Sequence, residues 1–456
     1  MRPPRRVPSD GAALHTDQYE LGNLQGALQS GVANHMAVFE VFARRLPTGR
    51  RYGVFAGLGR VLGRLPDMRF TERQVRWLED TGVADERTRR AVAGRRFSGE
   101  IWAYREGELY FPASPVLTVR APFGEAVLLE TLLLSVANWD SGVASTASRM
   151  VTAAGGRPII EMGSRRSHEE AAVDAARAAY IAGFAATSNM EAGLRYGVPV
   201  QGTAAHSFTL AHDSELEAFR AQVATQGPGT TLLVDTYDVE EGIRNAVAAA
   251  GPGLGGVRID SGELLQLVPH AHRLLRELGA KDARIVLTGG LDEYAMEELS
   301  DGPVGGFGAG EHLIQHPNPG FVYKLVAIAE SDDPDAPLRP VAKRSAGKGN
   351  LPGRKWAYRA FGEDGYAAAE PLVIADRRPD VDGLGEPLQE RFVAGGEVIR
   401  TYGVEESREY HRRTKARLRP SHLSIQAGGP ALVAEPVDAA GDEASDGRAP
   451  GEAVGG

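Results

Sequence analysis

The sequence predicts an α/β fold: an irregular seven-stranded α/β barrel beside a second, α+β domain formed from both ends of the chain. Three observations carry this expectation. At 456 residues the chain exceeds what one compact core accommodates, so at least two domains are expected. Across the middle of the chain, short apolar segments alternate with helical patterns, the rhythm of parallel strands joined by helices. On either side of that stretch the pattern is mixed or extended instead.

Taken in order, residues 1–13 are basic and lack an apolar segment, and read as a disordered arm rather than a secretion signal. Residues 14–120 form the N-terminal α+β domain, with a helix over about Asp17–Gln29, a strand at Met36–Phe42, helices around Arg60 and Val75, and a strand pair at Ile101–Tyr104 and Glu108–Phe111. From Gly124 a long helix follows, with Leu128, Leu129, Leu132, Leu133 and Val136 at helical spacing. The barrel is expected over 121–325. Its strands are expected at Pro158–Glu161, Phe184–Thr187, Val198–Gly202, Thr231–Asp235, Val257–Asp260, Arg284–Thr288 and Val304–Phe307. Residues 326–425 return to extended segments, including Trp356–Phe361 and Leu372–Ile374, and are expected to pack on the N-terminal domain. Residues 426–456 are rich in Gly, Ala, Pro, Asp and Glu, with too little apolar surface to offset the entropy of ordering them, and are expected to be disordered.

Composition narrows the function classes. The hydrophobic share of 42% and charged share of 24% are those of an average globular protein. No apolar run approaches the ~18 residues that span a bilayer, so no membrane is expected as a partner and the address is read as cytoplasmic. The chain has no cysteine, which removes disulfides, thiolate zinc sites and a cysteine nucleophile together. A formal charge of -9 offers no general attraction to nucleic acid, whereas small phosphorylated ligands need only a few arginines and backbone amides.

In a barrel the loops that follow the strands gather on the active-site face, so residues just beyond each strand carry the chemistry. Gly256 to Leu264 ends a strand in Arg258 and Asp260 and enters a helix with Ser261 and Gly262, Ser261 reading as its N-cap. Arg258 supplies a planar fork for carboxylate or phosphate, and the helix start supplies amides for an anion. The next two strands end in Gly289-Gly290 and in Gly308-Ala309-Gly310, glycines that let main-chain amides approach a phosphate or that simply make tight turns. An earlier strand delivers Gly202-Thr203-Ala204-Ala205-His206-Ser207, where His206 is a nucleophile, an acid/base group or a hydrogen-bonded core residue.

Several separated motifs then occur in one order: Thr16-Asp17-Gln18-Tyr19, Phe39 to Pro47, Glu161-Met162-Gly163-Ser164-Arg165-Arg166, Thr187-Ser188-Asn189, Gly202 to Ser207, Arg258 to Leu264, Val322 to Val326 and Leu351-Pro352-Gly353-Arg354-Lys355. Over roughly Leu14 to Phe361 the chain resembles the nicotinate phosphoribosyltransferases. The resemblance implies a type II phosphoribosyltransferase-like barrel, usually in a homodimer, that joins nicotinate to phosphoribosyl pyrophosphate for NAD salvage. It implies that His206 is phosphorylated by ATP, that Arg258 and Asp260 are catalytic, and that Mg²⁺ accompanies the pyrophosphate; no metal ligand is named. Tyr19, Met162, Arg165, Ser188, Thr203, Ser207 and Arg258 would contact substrate, Tyr19 across the dimer interface. Ser261, Gly262, Gly289, Gly290, Gly308, Gly310 and Glu311 would line the phosphate site.

The chain departs from the family pattern in three places. Met162 stands where an aromatic residue is common, Glu311 where Thr is common, and Gly289-Gly290 resembles the paired glycines of quinolinate phosphoribosyltransferases. A carboxylate at Glu311 is repelled by a phosphate unless it turns away, binds Mg²⁺ or pairs with His312. The competing readings are a phosphoribosyltransferase for another pyridine carboxylate and a non-catalytic nucleotide-binding paralogue.

Overall fold

The computed structural model describes residues 11–345, 348–380 and 383–437. Residues 1–10 of the expected arm and 438–456 of the expected tail lie outside them. The central element is a six-stranded parallel sheet, ordered Ala186–Thr187, Ile159–Glu161, Gly306–Ala309, Arg284–Leu287, Gly256–Ile259, Thr231–Leu233. Helices connect successive strands, and the interior strand Gly306–Ala309 is apolar and buried at every position.

The seventh expected strand, Val198–Gly202, is reduced to a single parallel bridge between Val200 and Thr187. Pro199 has no N–H to donate, and only its carbonyl and the Gln201 amide engage Thr187. Among the described residues no ladder joins this segment to Thr231–Leu233, so hydrogen bonding leaves a parallel half-barrel.

A second sheet of seven antiparallel strands draws on distant parts of the chain, in the order Leu338–Pro340, Phe321–Ala329, Met36–Ala43, Leu117–Pro122, Glu100–Tyr104, Gln389–Ala394, Glu397–Val398. Met36–Ala43 is central and buried at seven of its eight positions. Phe39 stacks on Tyr323 of the adjacent strand, with ring centroids 4.6 Å apart. Two of the motif residues meet here in a buried ion pair: Lys355 Nζ lies 2.9 Å from Glu40 Oε2, and Glu40 Oε1 accepts the Lys355 amide at 2.8 Å. Removing one partner of such a pair leaves an uncompensated charge, at a cost of about 3–5 kcal/mol.

The expected strand pair at 101–104 and 108–111 is corrected. Glu100–Tyr104 pairs with Leu117–Pro122 and Gln389–Ala394, whereas Leu109–Tyr110 pairs with Gly53–Val54. The turn at Gly107 (φ 92°) between them is held by a distant helix, its carbonyl accepting from His411 Nδ1 at 2.8 Å. The segment from Gln426, expected to be disordered, holds a strand at Ala434–Val437 parallel to Ala367–Ile374. Backbone pairing and the burial of Leu432 and Ala434 supply there what side-chain composition alone does not promise.

Helix Glu130–Ala153 joins the two halves. Leu132, Leu133, Val136 and Ala137 pack in the core of the antiparallel sheet, and Val143, Ala144, Ala147, Met150 and Ala153 in that of the parallel sheet. The small residues Ala144 and Ala147, with Ala175, Ala178 and Ala179 of helix Glu169–Ile181, share the second core and let the two helices lie close together. No helix among the described residues is long and apolar enough to cross a membrane.

Candidate functional site

Strand alternation aims the central side chains. Val257 and Ile259 are fully buried, so Arg258 and Asp260 emerge together on the opposite side, at the carboxyl end of the strand. The neighbouring strands end at Thr288 and Asp235, which converge on them.

Arg258 organises this convergence. Its Nε donates to Thr288 Oγ1 at 2.9 Å, its Nη1 to Thr203 Oγ1 at 2.9 Å and to the Ala204 carbonyl at 3.2 Å, and its Nη2 to Asp260 Oδ1 at 2.9 Å. A guanidinium has five N–H groups, so one Nη2 hydrogen remains for a ligand. Thr288 Oγ1 also donates to Asp260 Oδ1. Partial burial alone raises the Asp260 pKa, but the hydrogen bonds from Thr288 and Arg258, with the charges of Arg258 and His206, hold it below the ordinary carboxylate value. Asp260 is therefore a fixed anion at neutral pH.

His206 opens the short helix His206–Leu210 and sits over this anion. Its Nε2 lies 3.9 Å from Asp260 Oδ2 and 4.0 Å from Asp235 Oδ1, and its Nδ1 is 3.2 Å from Thr236 Oγ1. The ring is 40% exposed, so one face stays open to a co-substrate. Asp235 and Thr288 are residues that sequence reasoning missed. The Asp235 side chain is buried; Oδ2 accepts the Asp260 amide at 3.0 Å and the Ser261 hydroxyl at 2.6 Å, while Oδ1 has no hydrogen-bond partner. Asp235 lies two residues beyond the strand Thr231–Leu233, where a lone aspartate reads equally as a turn residue.

Ser261 is thus not an N-cap. The helix begins at Leu264 with Glu263 at the cap position and no side-chain cap, because Ser261 is committed to Asp235 and Gly262 turns with φ 90°. The glycine loops divide in role. A Cβ on Gly289 (φ 93°) would lie 2.0 Å from the Asp260 carbonyl oxygen, so this glycine permits the loop's close approach to Asp260. Gly308 lies inside a strand, and a Cβ there would meet Thr288 Cγ2 at 2.6 Å and Met162 Sδ at 2.8 Å. Gly290 faces open space, and a Cβ on Gly310 would press on the Met162 carbonyl.

The loop after Ile159–Glu161 is held from beneath. Burial raises the pKa of the Glu161 carboxyl, which accepts hydrogen bonds from Thr187 Oγ1 and the Gly163 amide. Met162 is half-buried, Ser188 and Arg165 are exposed, and Asn189 Nδ2 donates to Ser164 Oγ at 2.9 Å. Glu311 does not turn to His312: it pairs with Arg166 Nε at 3.2 Å. Ser207 is exposed beside His206. Tyr19 stands apart, 46% exposed on helix Gln18–Ser30, its hydroxyl pKa pushed up to about 12 by burial and by Glu130; no hydrogen bond links it to the strand-end cluster.

The described residues contain no cluster of three or more metal-ligating side chains. Asp260 Oδ2 and Asp235 Oδ1 both lie within 4.0 Å of His206 Nε2, and a hard cation held by one or two carboxylates together with substrate phosphates needs no more than that from the protein.

Known proteins resemble both the sequence and the fold. Residues 14–138 match the N-terminal domain family of nicotinate phosphoribosyltransferases. A nicotinate phosphoribosyltransferase of Mycobacterium tuberculosis is 48% identical, covering 94% of this chain and 96% of its own. That of Bacillus subtilis is 37% identical over 78% of this chain and 75% of its own. The crystal structure of the human nicotinic acid phosphoribosyltransferase superposes with a TM-score of 0.79 at 26% identity, over 92% of this chain and 98% of that one.

Proposed function

The chain belongs to the nicotinate phosphoribosyltransferase family, and from that premise we propose that it forms nicotinate mononucleotide and pyrophosphate from nicotinate and phosphoribosyl pyrophosphate, a step of NAD salvage. The observation that carries the proposal is the Arg258, Thr203, Thr288 and Asp260 network at the strand ends, with His206 above it.

In this reading the nicotinate ring nitrogen attacks the ribose carbon as its bond to pyrophosphate breaks, both electrons leaving with the pyrophosphate. The protein supplies no nucleophile for the transfer. Positive charge builds on the sugar, and the fixed Asp260 carboxylate stabilises it electrostatically. Arg258 offers its remaining N–H to the nicotinate carboxylate, with Thr203 beside it; Met162, Arg165, Ser188 and Ser207 border the ring. Ser261, Gly262 and the glycine loops at 289–290 and 308–310 face the phosphates, with Glu311 drawn aside by Arg166. Mg²⁺, held by Asp235 and Asp260, would neutralise charge on the departing pyrophosphate.

The proposal extends to a cytoplasmic homodimer in which Tyr19 completes the partner's site, to a barrel with Val198–Gly202 as its seventh strand, and to ATP as co-substrate. His206 accepts the γ-phosphoryl group at a ring nitrogen as its bond to the β-phosphate oxygen breaks and ADP leaves, Asp235 and Asp260 orienting the imidazole, and hydrolysis of that phosphohistidine to phosphate is coupled to transfer. Incubation with γ-labelled ATP tests this. Acid-labile, base-stable label on His206 is expected; no label, or label elsewhere, in a protein with full transferase activity removes the coupling role.

A second reading keeps the reaction and changes the ring. Met162 packs its thioether on Gly308 where the family often stacks an aromatic side chain, which replaces ring stacking by a softer, more deformable contact and favours another pyridine carboxylate.

A further inference from the structure

Strands Glu100–Tyr104, Lys355–Phe361 and Gln389–Ala394, on the antiparallel side of the molecule, wall a cleft of about 490 Å³, within the size range of small-ligand sites. Its lining carries five guanidinium groups, from Arg120, Arg354, Arg377, Arg378 and Arg391. Only three carboxylates face them, Glu100, Asp335 and Asp376, so the lining has an excess of two positive charges.

Arg354 is the decisive residue. It is 4% exposed and stacks on Trp356, its guanidinium carbon 4.0 Å from the ring centroid. Nη1 reaches the Asp376 carbonyl at 3.3 Å, but Nε and Nη2 are buried without any hydrogen-bond partner. Arg391 repeats the pattern: Nη2 pairs with Glu100 at 2.9 Å, and Nε is buried and unpartnered. Burial pulls the Arg354 pKa down to about 10, so it stays cationic at neutral pH. Buried charged donors left unpaired are costly, and planar forks match oxyanions in two-point geometry.

We propose that this cleft is an oxyanion site separate from the strand-end cluster, built to receive a phosphate-like group on Arg354 and Arg391 with Trp102 and Trp356 as its floor. A diffusible phosphate-bearing molecule offers that chemistry.

Trp102 and Trp356 report on the cleft once Trp77 and Trp139, the other two tryptophans, are replaced by Phe. Inorganic phosphate and pyrophosphate are titrated into that protein at full length. Saturable quenching is expected. Arg354→Met should weaken it at least tenfold, and Arg258→Gln should leave it unchanged. The paired rim variant Arg120→Gln/Arg378→Gln gives the same reading should the buried substitution not fold. No quenching, or quenching lost with Arg258→Gln but kept in the cleft variants, overturns the proposal.

Discussion

Arg258 has four of its hydrogen-bonding interactions already made within the protein, and each fixes a neighbour as well as the fork. Lysine carries the charge but not the plane, so Arg258→Lys should release Thr203 and Thr288 along with the ligand. Charge-assisted hydrogen bonds are each worth about 1.5–3 kcal/mol. Loss of one or two therefore predicts a fall in kcat/KM for nicotinate of roughly 100-fold, with a melting temperature close to that of the parent. Steady-state kinetics beside a thermal melt would check this, and unchanged kinetics would remove Arg258 from the site. At this scale the sequence was legible where a residue stood in a run of informative neighbours: Arg258, Asp260 and His206 are all brought together. Asp235 was not legible, because a lone aspartate after an apolar segment reads equally as a turn residue; only the fold shows it buried, accepting from Ser261 and Asp260 and facing His206. Glu311 was legible as an anomaly but not in its remedy, since Arg166 lies 145 positions earlier in the sequence (311 − 166).

The strand-to-helix loops show what local pattern conveys and what it does not. Every expected strand of the parallel sheet except Val198–Gly202 is found, because an apolar run bounded by turn residues is a local signal. Pairing partners are not local. Leu109–Tyr110 joins Gly53–Val54 rather than Glu100–Tyr104, and nothing within 101–111 announces it. The same holds for Ser261, which a distant carboxylate diverts from capping. Gly289 is an element-scale constraint that can be tested: Gly289→Ala places a methyl 2.0 Å from the Asp260 carbonyl at a φ of 93°, so the loop must move. Activity should fall by at least tenfold while the far-UV circular dichroism stays unchanged; full activity would show that the loop does not brace Asp260.

Helix Val404–Ala416 offers a pH test. Its His411 is buried, donating from Nδ1 to Gly107 and accepting at Nε2 from Ser148 at 3.1 Å, and burial pushes its pKa down to about 3. The unfolded chain takes up a proton near pH 6.5 that the folded chain refuses. The contribution is therefore fully present above pH ~6.5 and is lost as pH falls towards ~3. Melting temperature should drop over that window more steeply in the parent than in His411→Gln, and parallel curves would contradict the assignment.

Across the whole molecule, residues from both ends of the chain complete one antiparallel sheet, and helix Glu130–Ala153 carries one face into each core. The ordered motifs identified the family, but several of their residues proved to be architectural: Glu40 and Lys355 close a buried ion pair, and Glu161 pins the loop above it. Motif order cannot separate residues kept for chemistry from residues kept for packing; burial and partners do. The same limit applies to the acceptor ring, because a thioether at Met162 does not by itself name the ring that packs on it. The most direct test is therefore product analysis of the purified protein with phosphoribosyl pyrophosphate, Mg²⁺ and, in separate reactions, nicotinate, nicotinamide and quinolinate, each with and without ATP. Nicotinate mononucleotide and pyrophosphate formed in equal amounts from nicotinate, and faster with ATP, is the predicted result; no product from nicotinate, or a clear preference for another ring, would contradict the account.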